Sequence, residues 1–574
     1  MRSIPGGLDL LAWAAAASSA LAFGALPLGC REALIDPIPA AHADDAAPRR
    51  GGTLRLASFS NIRNLDPAGP SDGLSAQPQH LIFAGLIDWD DGGHIVPDLA
   101  ERWEEDDGGR AYRFTLRQGV MMHDGQEFTA DDVKRSAERA LAPTTPNPNA
   151  SYFTNIVGFE SFVAGQADRL DGVTVDGRYM VTFHLRDPDA TFLPLLAMNT
   201  LRPVCQSGGA RYSDTWAPCG AGPFKLAPGG WQRGTSLRII RNEAYFRPGL
   251  PYLDAVEWSF GMQALAQRFR FEAGELDLLR DLTAGDEARF AADPRWRPLG
   301  KADGDTRVYG ESMNTRMPPF DNVEIRRAVA AAIDREHYRL LRPATMTILR
   351  QVVPPGVPGY DPSVTGQADD PRAALDHMRK AGYAYDPHTG AGGWPKPIEY
   401  PLYDRGLIVS TAQLLQQDLA RIGLRIELRL VSWPAFLALQ QRPLGAAISQ
   451  GNWGMDYPDP SSFFEPLFTT ASIGPESAYN TSFYSNPRVD DLVARAHREG
   501  NPERRRGLYH DADTILCDEA PWAFAYAIHY WHLHQPYVRG FTPHPIWSVD
   551  ATRIWLDRAE AALGRVIGSA GLSP

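Results

Sequence analysis

Alternation of hydrophobic and polar positions marks several strands along the chain. Tyr112, Phe114 and Leu116 alternate with Arg113, Thr115 and Arg117, the period of a strand with one buried face. Tyr179, Val181, Phe183 and Leu185 repeat the pattern, as do Leu424, Ile426, Leu428 and Leu430 against Arg425, Glu427 and Arg429. Helical spacing is as clear. Thr129-Ala130-Asp131-Asp132 has the form of a capping box, with Val133, Ala137 and Leu141 following on one face. Asn322 precedes a helix carrying Ile325, Ala328, Val329, Ala332 and Ile333. Thr411 is expected to open another, with Leu414, Leu415, Leu419 and Ile422 inward and Gly423 as its stop. That helix runs directly into the strand Leu424–Leu430, an α/β unit. No repeat of fixed period is present.

The N-terminus has a different pattern. Arg2 is followed by an almost uncharged run from Leu10 to Leu28, the layout of an export signal. The run is also long enough to act as an uncleaved membrane anchor. Two processing routes compete. Ala41-His42-Ala43 is an Ala-x-Ala cleavage site, and Leu28-Gly29-Cys30 resembles a lipobox whose Cys30 would be lipidated, with Pro27 in place of the usual leucine. The Ala/Pro/Asp-rich stretch up to Arg50 reads as a flexible tether. No later segment has 18 consecutive apolar residues, so membrane contact is expected only through the N-terminal anchor or lipid.

The 574 residues suffice for two to four structural units, and 44% hydrophobic with 22% charged residues is ordinary globular composition. A net charge of −12 argues against nucleic acid or an anionic membrane as partner. Of the four cysteines, Cys205 and Cys219 flank a Gly/Ser/Pro-rich loop. A disulfide there would close a loop of about 15 residues, worth roughly 3 kcal/mol in the loop-entropy model; two free thiols are the alternative. Cys517 reads as a small buried hydrophobe. With no Cys-x-x-Cys pair and no metal spacing among the 14 histidines, no metal or cofactor is expected. His529, His532 and His534 are the closest cluster. There is no Gly-x-Ser-x-Gly elbow, and Gly220-Ala221-Gly222 lacks the Lys-Ser/Thr of a phosphate loop.

Ordered blocks covering nearly all of residues 51–550 resemble the extracellular solute-binding proteins that include dipeptide- and oligopeptide-binding receptors of ABC importers. They are Gly51-Gly52-Thr53-Leu54-Arg55, Asn64-Leu65-Asp66-Pro67, Phe83–Ile87 and Val96–Trp103, then the dense stretch Tyr112–Val133. Gly220-Ala221-Gly222-Pro223-Phe224, Asn314, Pro319-Phe320 and Arg326-Arg327-Ala328 follow. Within the dense stretch, His123-Asp124-Gly125 reads as a turn rather than a catalytic pair. Asp131-Asp132 sits where a helix macrodipole favours negative charge, so no cation is needed to explain it.

The resemblance implies a two-lobed α/β periplasmic-binding-protein fold (type II, cluster C-like) with mixed sheets and an extra inserted domain. Domain I would comprise 48–80, 200–308 and 526–574, domain II 81–199 and domain III 309–525, with 1–47 as signal and tether. It also implies a monomer, exported to the periplasm or the outer face of the cell membrane, that binds peptides in an interdomain cleft and delivers them to an ABC permease. The stretch Asn452-Trp453-Gly454-Met455-Asp456-Tyr457-Pro458 carries the implied anchor. Asp456 would meet a ligand ammonium by charge-assisted hydrogen bonds, and Trp453, flanked by Asn452 and Tyr457, would wall the pocket. Asp459 is better placed as a helix cap. Arg405, in the loop before the helix at Thr411, would take the ligand carboxylate. Trp433 reads as packing. Three other readings stand beside this one: the same fold on a nickel chelate, haem, sugar or other amine; an exported hydrolase; and a receptor that signals or assists folding.

Overall fold

The computed structural model describes residues 47–69, 73–208, 216–403, 406–474 and 478–557. Cys30 and Arg405 lie outside them. Among the described residues no helix is long and apolar enough to cross a membrane.

The chain opens with β1 (Thr53–Ala57) and then builds an antiparallel sheet from β2 (Ala100–Asp106), β3 (Ala111–Leu116), β4 (Val173–Gly177) and β5 (Met180–His184), in the order β2-β3-β5-β4. The alternation read from sequence has its expected consequence. Tyr112, Phe114 and Leu116 are buried, as are Val181, Phe183 and Leu185. Helix α1 (Ala130–Leu141) packs Val133, Ala137 and Leu141 inward, and the Asp132 carboxylate accepts the Thr129 N–H at 2.9 Å. Buried Arg139 on α1 donates at 2.9 Å to Asp66, which explains the Asn64–Pro67 block as a buried ion-pair anchor. His123-Asp124-Gly125 is the expected turn. Burial holds the His123 pKa down to about 4, and its Nδ1 accepts the Gly220 N–H at 3.2 Å. Gly222 in the following block has no room for a side chain: a Cβ would lie 2.5 Å from the Leu81 carbonyl oxygen. Cys205 and Cys219 are joined by a disulfide.

The chain then returns to β1 through β6 (Phe224–Gln232), β7 (Ser236–Arg241) and β8 (Ala255–Ser259), with β8 parallel to β1 and sheet order β1-β8-β7-β6. Two short strands, β9 (Leu278–Leu279) and β10 (Gly300–Ala302), follow. The last large sheet uses β11 (Arg307–Met313) and β12 (Met346–Ile348), with α2 (Val323–Ala332) between them. Asn322 caps α2 by accepting the Glu324 N–H at 2.9 Å.

Strand β13 (Ile398–Leu402), helix α3 (Gly406–Ala420) and β14 (Ile426–Leu430) form the α/β unit, with β13 and β14 parallel. Here two expectations are corrected. Helix α3 starts five residues before Thr411, whose hydroxyl donates to the Ile408 carbonyl at 3.1 Å inside the helix instead of capping it. Leu430 is 61% exposed, because β14 is an edge strand of a two-stranded sheet and its C-terminal end has outrun the core. Strand β15 (Ile448–Gly454), α4 (Ser461–Phe468), α5 (Pro487–Arg498), α6 (Pro502–Glu519), β16 (Trp522–Ile528) and β17 (Trp531–His534) follow, before four two-residue strands between Val538 and Leu556. The last large sheet has the order β12-β16-β11-β15, so β15 lies at its edge; β17 joins β9 and β10 in a separate sheet.

Separate hydrophobic cores fill these layers. One gathers residues from 68 to 221 with Tyr457 and Trp547. A second lies around β1 and β6–β8 with Val538 to Leu556, and two more lie on the faces of the β11–β16 sheet.

Candidate functional site

Antiparallel pairing of β11 with β15 sets Tyr309 opposite Asn452 and Arg307 opposite Gly454. Opposed residues share a face, so Val308 and Trp453 turn to the core under α4 while Asn452 stays exposed on the other side. The backbone alternates too. The Ala447 carbonyl and the Met455 N–H both bond toward the β11 side. Gln450, Asn452 and Gly454 therefore direct their backbone groups to the open edge of the sheet. There the Gln450 carbonyl accepts the Gln440 amide at 2.8 Å.

Trp453 is half-buried. Its indole N–H donates to the Ser462 carbonyl at 2.7 Å, and its ring meets Tyr479 edge-on at 5.7 Å. Asp456 follows in the bend before α4. The Ser462 hydroxyl accepts the Asp456 N–H at 2.9 Å and fixes the backbone. The half-buried Asp456 carboxylate accepts the Tyr152 hydroxyl at 3.0 Å and has no cation partner among the described residues. Burial lifts its pKa to about 6, partly offset by that hydrogen bond. A desolvated carboxylate lacking a counter-charge is costly, and an incoming ammonium would relieve that cost.

Tyr457 takes a different place. It is fully buried, its hydroxyl shares a hydrogen bond with Ser461 at 2.9 Å, and its ring meets Tyr152 edge-on at 6.1 Å. It supports the site from the core. Asp459 accepts the Ser461 N–H at 2.9 Å at the start of α4 and is clamped by both terminal nitrogens of Arg505. It therefore belongs to the helix start, not to the ligand. Trp433 is 43% exposed and packs against Tyr403 and Phe436.

Sequence reasoning missed Tyr152 and Tyr479. Tyr152 sits in the 3-10 turn Pro148–Phe153, 304 residues from Asp456 along the chain. Tyr479 is 55% exposed beside Trp453. Tyrosine and tryptophan rings combine a large apolar face with a polar tip and recur at binding surfaces, and only the contact with Trp453 singles Tyr479 out.

A second contact ties the same two chain regions together. His497 on α5 lies 2.9 Å from Asp189 and 2.8 Å from Glu465 on α4, and its carbonyl accepts the Ala190 N–H at 2.9 Å. Burial pulls the imidazole pKa down, but the two carboxylates outweigh it and raise it to about 10. A raised histidine pKa gives stability that is complete below about 6.5 and is lost as pH rises through the folded-state value. His497→Gln is therefore expected to lower the unfolding free energy by about 1–3 kcal/mol at pH 7, with the difference shrinking toward pH 10 in urea titrations.

Two histidines of the C-terminal cluster are paired with acids, His529 with Asp305 at 2.8 Å and His532 with Asp303 at 3.4 Å, and His534 donates through Nδ1 to the Gln535 carbonyl at 3.0 Å. Among the described residues, one group has ligand atoms close enough for a metal. It is Asp124 with Cys205 and Cys219, whose sulfurs are already joined in the disulfide.

Residues 94–475 match the family described as bacterial extracellular solute-binding proteins, family 5 Middle. The chain is 28% identical to "Probable di/tripeptide-binding protein 5" of Pseudomonas aeruginosa, covering 83% of this chain and 90% of that one. It is also 28% identical to "Probable deoxycholate-binding periplasmic protein YgiS" of Escherichia coli (86% and 91% covered). Identity to the glutathione-binding protein GsiB of Escherichia coli is 25% (81% and 87%). Among solved structures, the "Clavulanic acid biosynthesis oligopeptide binding protein 2" superimposes with a TM-score of 0.78 at 25% identity, covering 88% of this chain and 96% of that one. The Helicobacter pylori periplasmic binding protein DppA in complex with peptide STSA gives 0.73 at 22% identity (88% and 98%) and shares the fold.

Proposed function

Because the chain belongs to the bacterial extracellular solute-binding proteins of family 5, we propose that it is the receptor of an ABC importer and captures short peptides by their free amine. The observation that carries this reading is Asp456, a half-buried carboxylate whose described partner is a tyrosine hydroxyl and not a cation. The open edge of β15 beside it supports main-chain pairing with an extended peptide, as in strand addition. Trp453 and Tyr479 would form the aromatic wall. The reading rests on Asp456 and not on Arg405, which lies outside the described residues. No chemical step is proposed for the chain, and its relatives are named as binding proteins.

The three-domain division, with the ligand between domains I and III, fits the separate hydrophobic cores. The Tyr152–Asp456 and Asp189–His497 contacts would then join domains II and III. Ligand contacts on both lobes would favour a closed state that the permease recognises.

One relative's name supports a second reading. The deoxycholate-binding protein is as similar as the di/tripeptide-binding one, and deoxycholate has no amine. Native mass spectrometry of protein purified gently from its host separates the two. A retained mass series of short peptides supports the proposal, and a sterol-acid mass replaces it. The same spectra test export: the mature chain is expected to carry lipid at Cys30 or to begin near Asp44, and an intact N-terminus would indicate a retained anchor.

A further inference from the structure

Tyr530 lies in the two-residue link between β16 and β17, where the chain passes from the β11–β16 sheet to the sheet containing β9 and β10. Arginines reach its ring from both sheets. The guanidinium carbon of Arg280, just after β9, is 4.4 Å from the ring centroid, and that of Arg307, the first residue of β11, is 4.9 Å from it. The tyrosine backbone is locked, since its N–H donates to Asp303 at 2.5 Å and its carbonyl accepts the Asp303 N–H at 3.0 Å.

The acids nearby are committed to other donors first, although, against burial and after His532, the charge of Arg280 also helps to lower the Asp303 pKa. Asp303 holds that N–H and His532, and Asp305 holds His529. Among the described residues neither arginine has a carboxylate within ion-pair distance, and the buried Nε of Arg280 has no hydrogen-bond partner. Two cations gathered on one ring repel each other. The ring's quadrupole returns only about 0.5–2 kcal/mol per cation, so the arrangement favours an anion that touches both.

Arg307 stands opposite Gly454 in the strand register, and a Cβ on Gly454 would lie 3.6 Å from its Nε. Gly454 thus leaves the guanidinium stem lying across the strand that leads to Asp456. Two residues of extended chain span at most about 7 Å, so Gly454, the register partner of Arg307, lies within that reach of Asp456.

We propose that Arg280 and Arg307, stacked on Tyr530, form a carboxylate site at the crossing between the two sheets, and that it takes the carboxylate end of a short zwitterionic ligand. The inference rests on the peptide reading for the ligand's other end. It assigns the carboxylate to this pair and not to Arg405. Because Arg280 and Arg307 come from different sheets, a carboxylate held by both also links those sheets in the bound state.

The test uses the unmodified mature protein. Phenylglyoxal labels accessible arginines, and mass spectrometry maps the rate at each one. At ten times its dissociation constant, trialanine is expected to slow labelling of Arg280 and Arg307 about tenfold, whereas trialanine amide leaves both rates unchanged. Equal protection by acid and amide, or protection by neither when calorimetry shows the acid bound, overturns the site. If calorimetry shows no trialanine binding at all, the peptide reading falls. Succinate then decides the anion site alone: slowed labelling at both arginines keeps it, and unchanged labelling removes it. A paired comparison addresses the competing arginine. Arg280→Met with Arg307→Met is expected to abolish the preference for acid over amide while the preference for a free amine survives. Loss of the acid preference in Arg405→Met, with its retention in the double variant, overturns the assignment.

Discussion

Asp456→Asn is expected to weaken binding of a free-amine peptide by about 2–5 kcal/mol, the range for truncating one partner of a desolvated charge pair. Asparagine keeps the acceptor for the Tyr152 hydroxyl, so the loss reports charge and not shape. The pH dependence gives a second readout. In the empty protein the Asp456 pKa is about 6, and an ammonium would hold it lower. Protonation therefore competes with the ligand, and affinity is expected to fall as pH drops below about 6, by up to tenfold per unit. The asparagine variant lacks this slope. For the empty protein the effect on stability has the opposite sense. A carboxylate with a raised folded-state pKa costs stability as pH rises from 3.8 through about 6, so the empty asparagine variant is expected to be the more stable protein at neutral pH. Titration calorimetry at pH 5 and pH 7.5, with thermal unfolding of the empty proteins, checks each part. An unchanged affinity at pH 7.5 removes Asp456 from the site.

Glu311→Gln is expected to stabilise the protein. Glu311 on β11 is fully buried beneath the sheet, and the hydroxyl of Tyr400 on β13 donates to it at 2.7 Å. No cation is paired with it among the described residues. Burial lifts its pKa from 4.5 to about 7, against the smaller opposing effect of that hydrogen bond. The unfolded chain releases this proton first. The penalty is therefore absent below about pH 4.5, grows as pH rises toward 7 and is constant above. Over that interval it amounts to roughly 3 kcal/mol. Glutamine still accepts from Tyr400. It also adds a donor facing Gln450, the register partner on β15, whose buried side-chain oxygen otherwise lacks a hydrogen bond. Urea titrations are expected to show variant and parent alike near pH 4, with the variant more stable by up to that amount at pH 8. A variant less stable at pH 8 would show that a buried charge at Glu311 contributes favourably.

What could be read in the sequence followed from how local the cause was. The capping box at Thr129, the cap at Asn322 and the alternation over Tyr112–Leu116 depend on neighbours a few residues apart, and each is found in place. Thr411 misled because its place in the helical pattern looks like a start, while the hydroxyl is satisfied within the helix. Leu430 misled because alternation fixes a face and not how far the core extends under it. At the site, Asp456 and Trp453 stood out as residue types suited to an ammonium and a flat surface. Their surroundings did not. Tyr152, Arg280 and the burial of Glu311 depend on contacts across distant parts of the chain, which no local pattern encodes. Tyr457 shares a motif with Asp456 yet points into the core, because successive residues in a bend before a helix leave in different directions.

The central claim is that the protein captures its ligand through a free amine at Asp456. Calorimetry of the mature parent protein with trialanine and N-acetyl-trialanine at pH 7.5 tests it most directly, because acetylation removes that charge and leaves the rest of the peptide and its carboxylate unchanged. The account predicts that trialanine binds and that acetylation weakens it by about thirtyfold or more, the lower end of the charge-pair range. Equal affinity for the two peptides would contradict it.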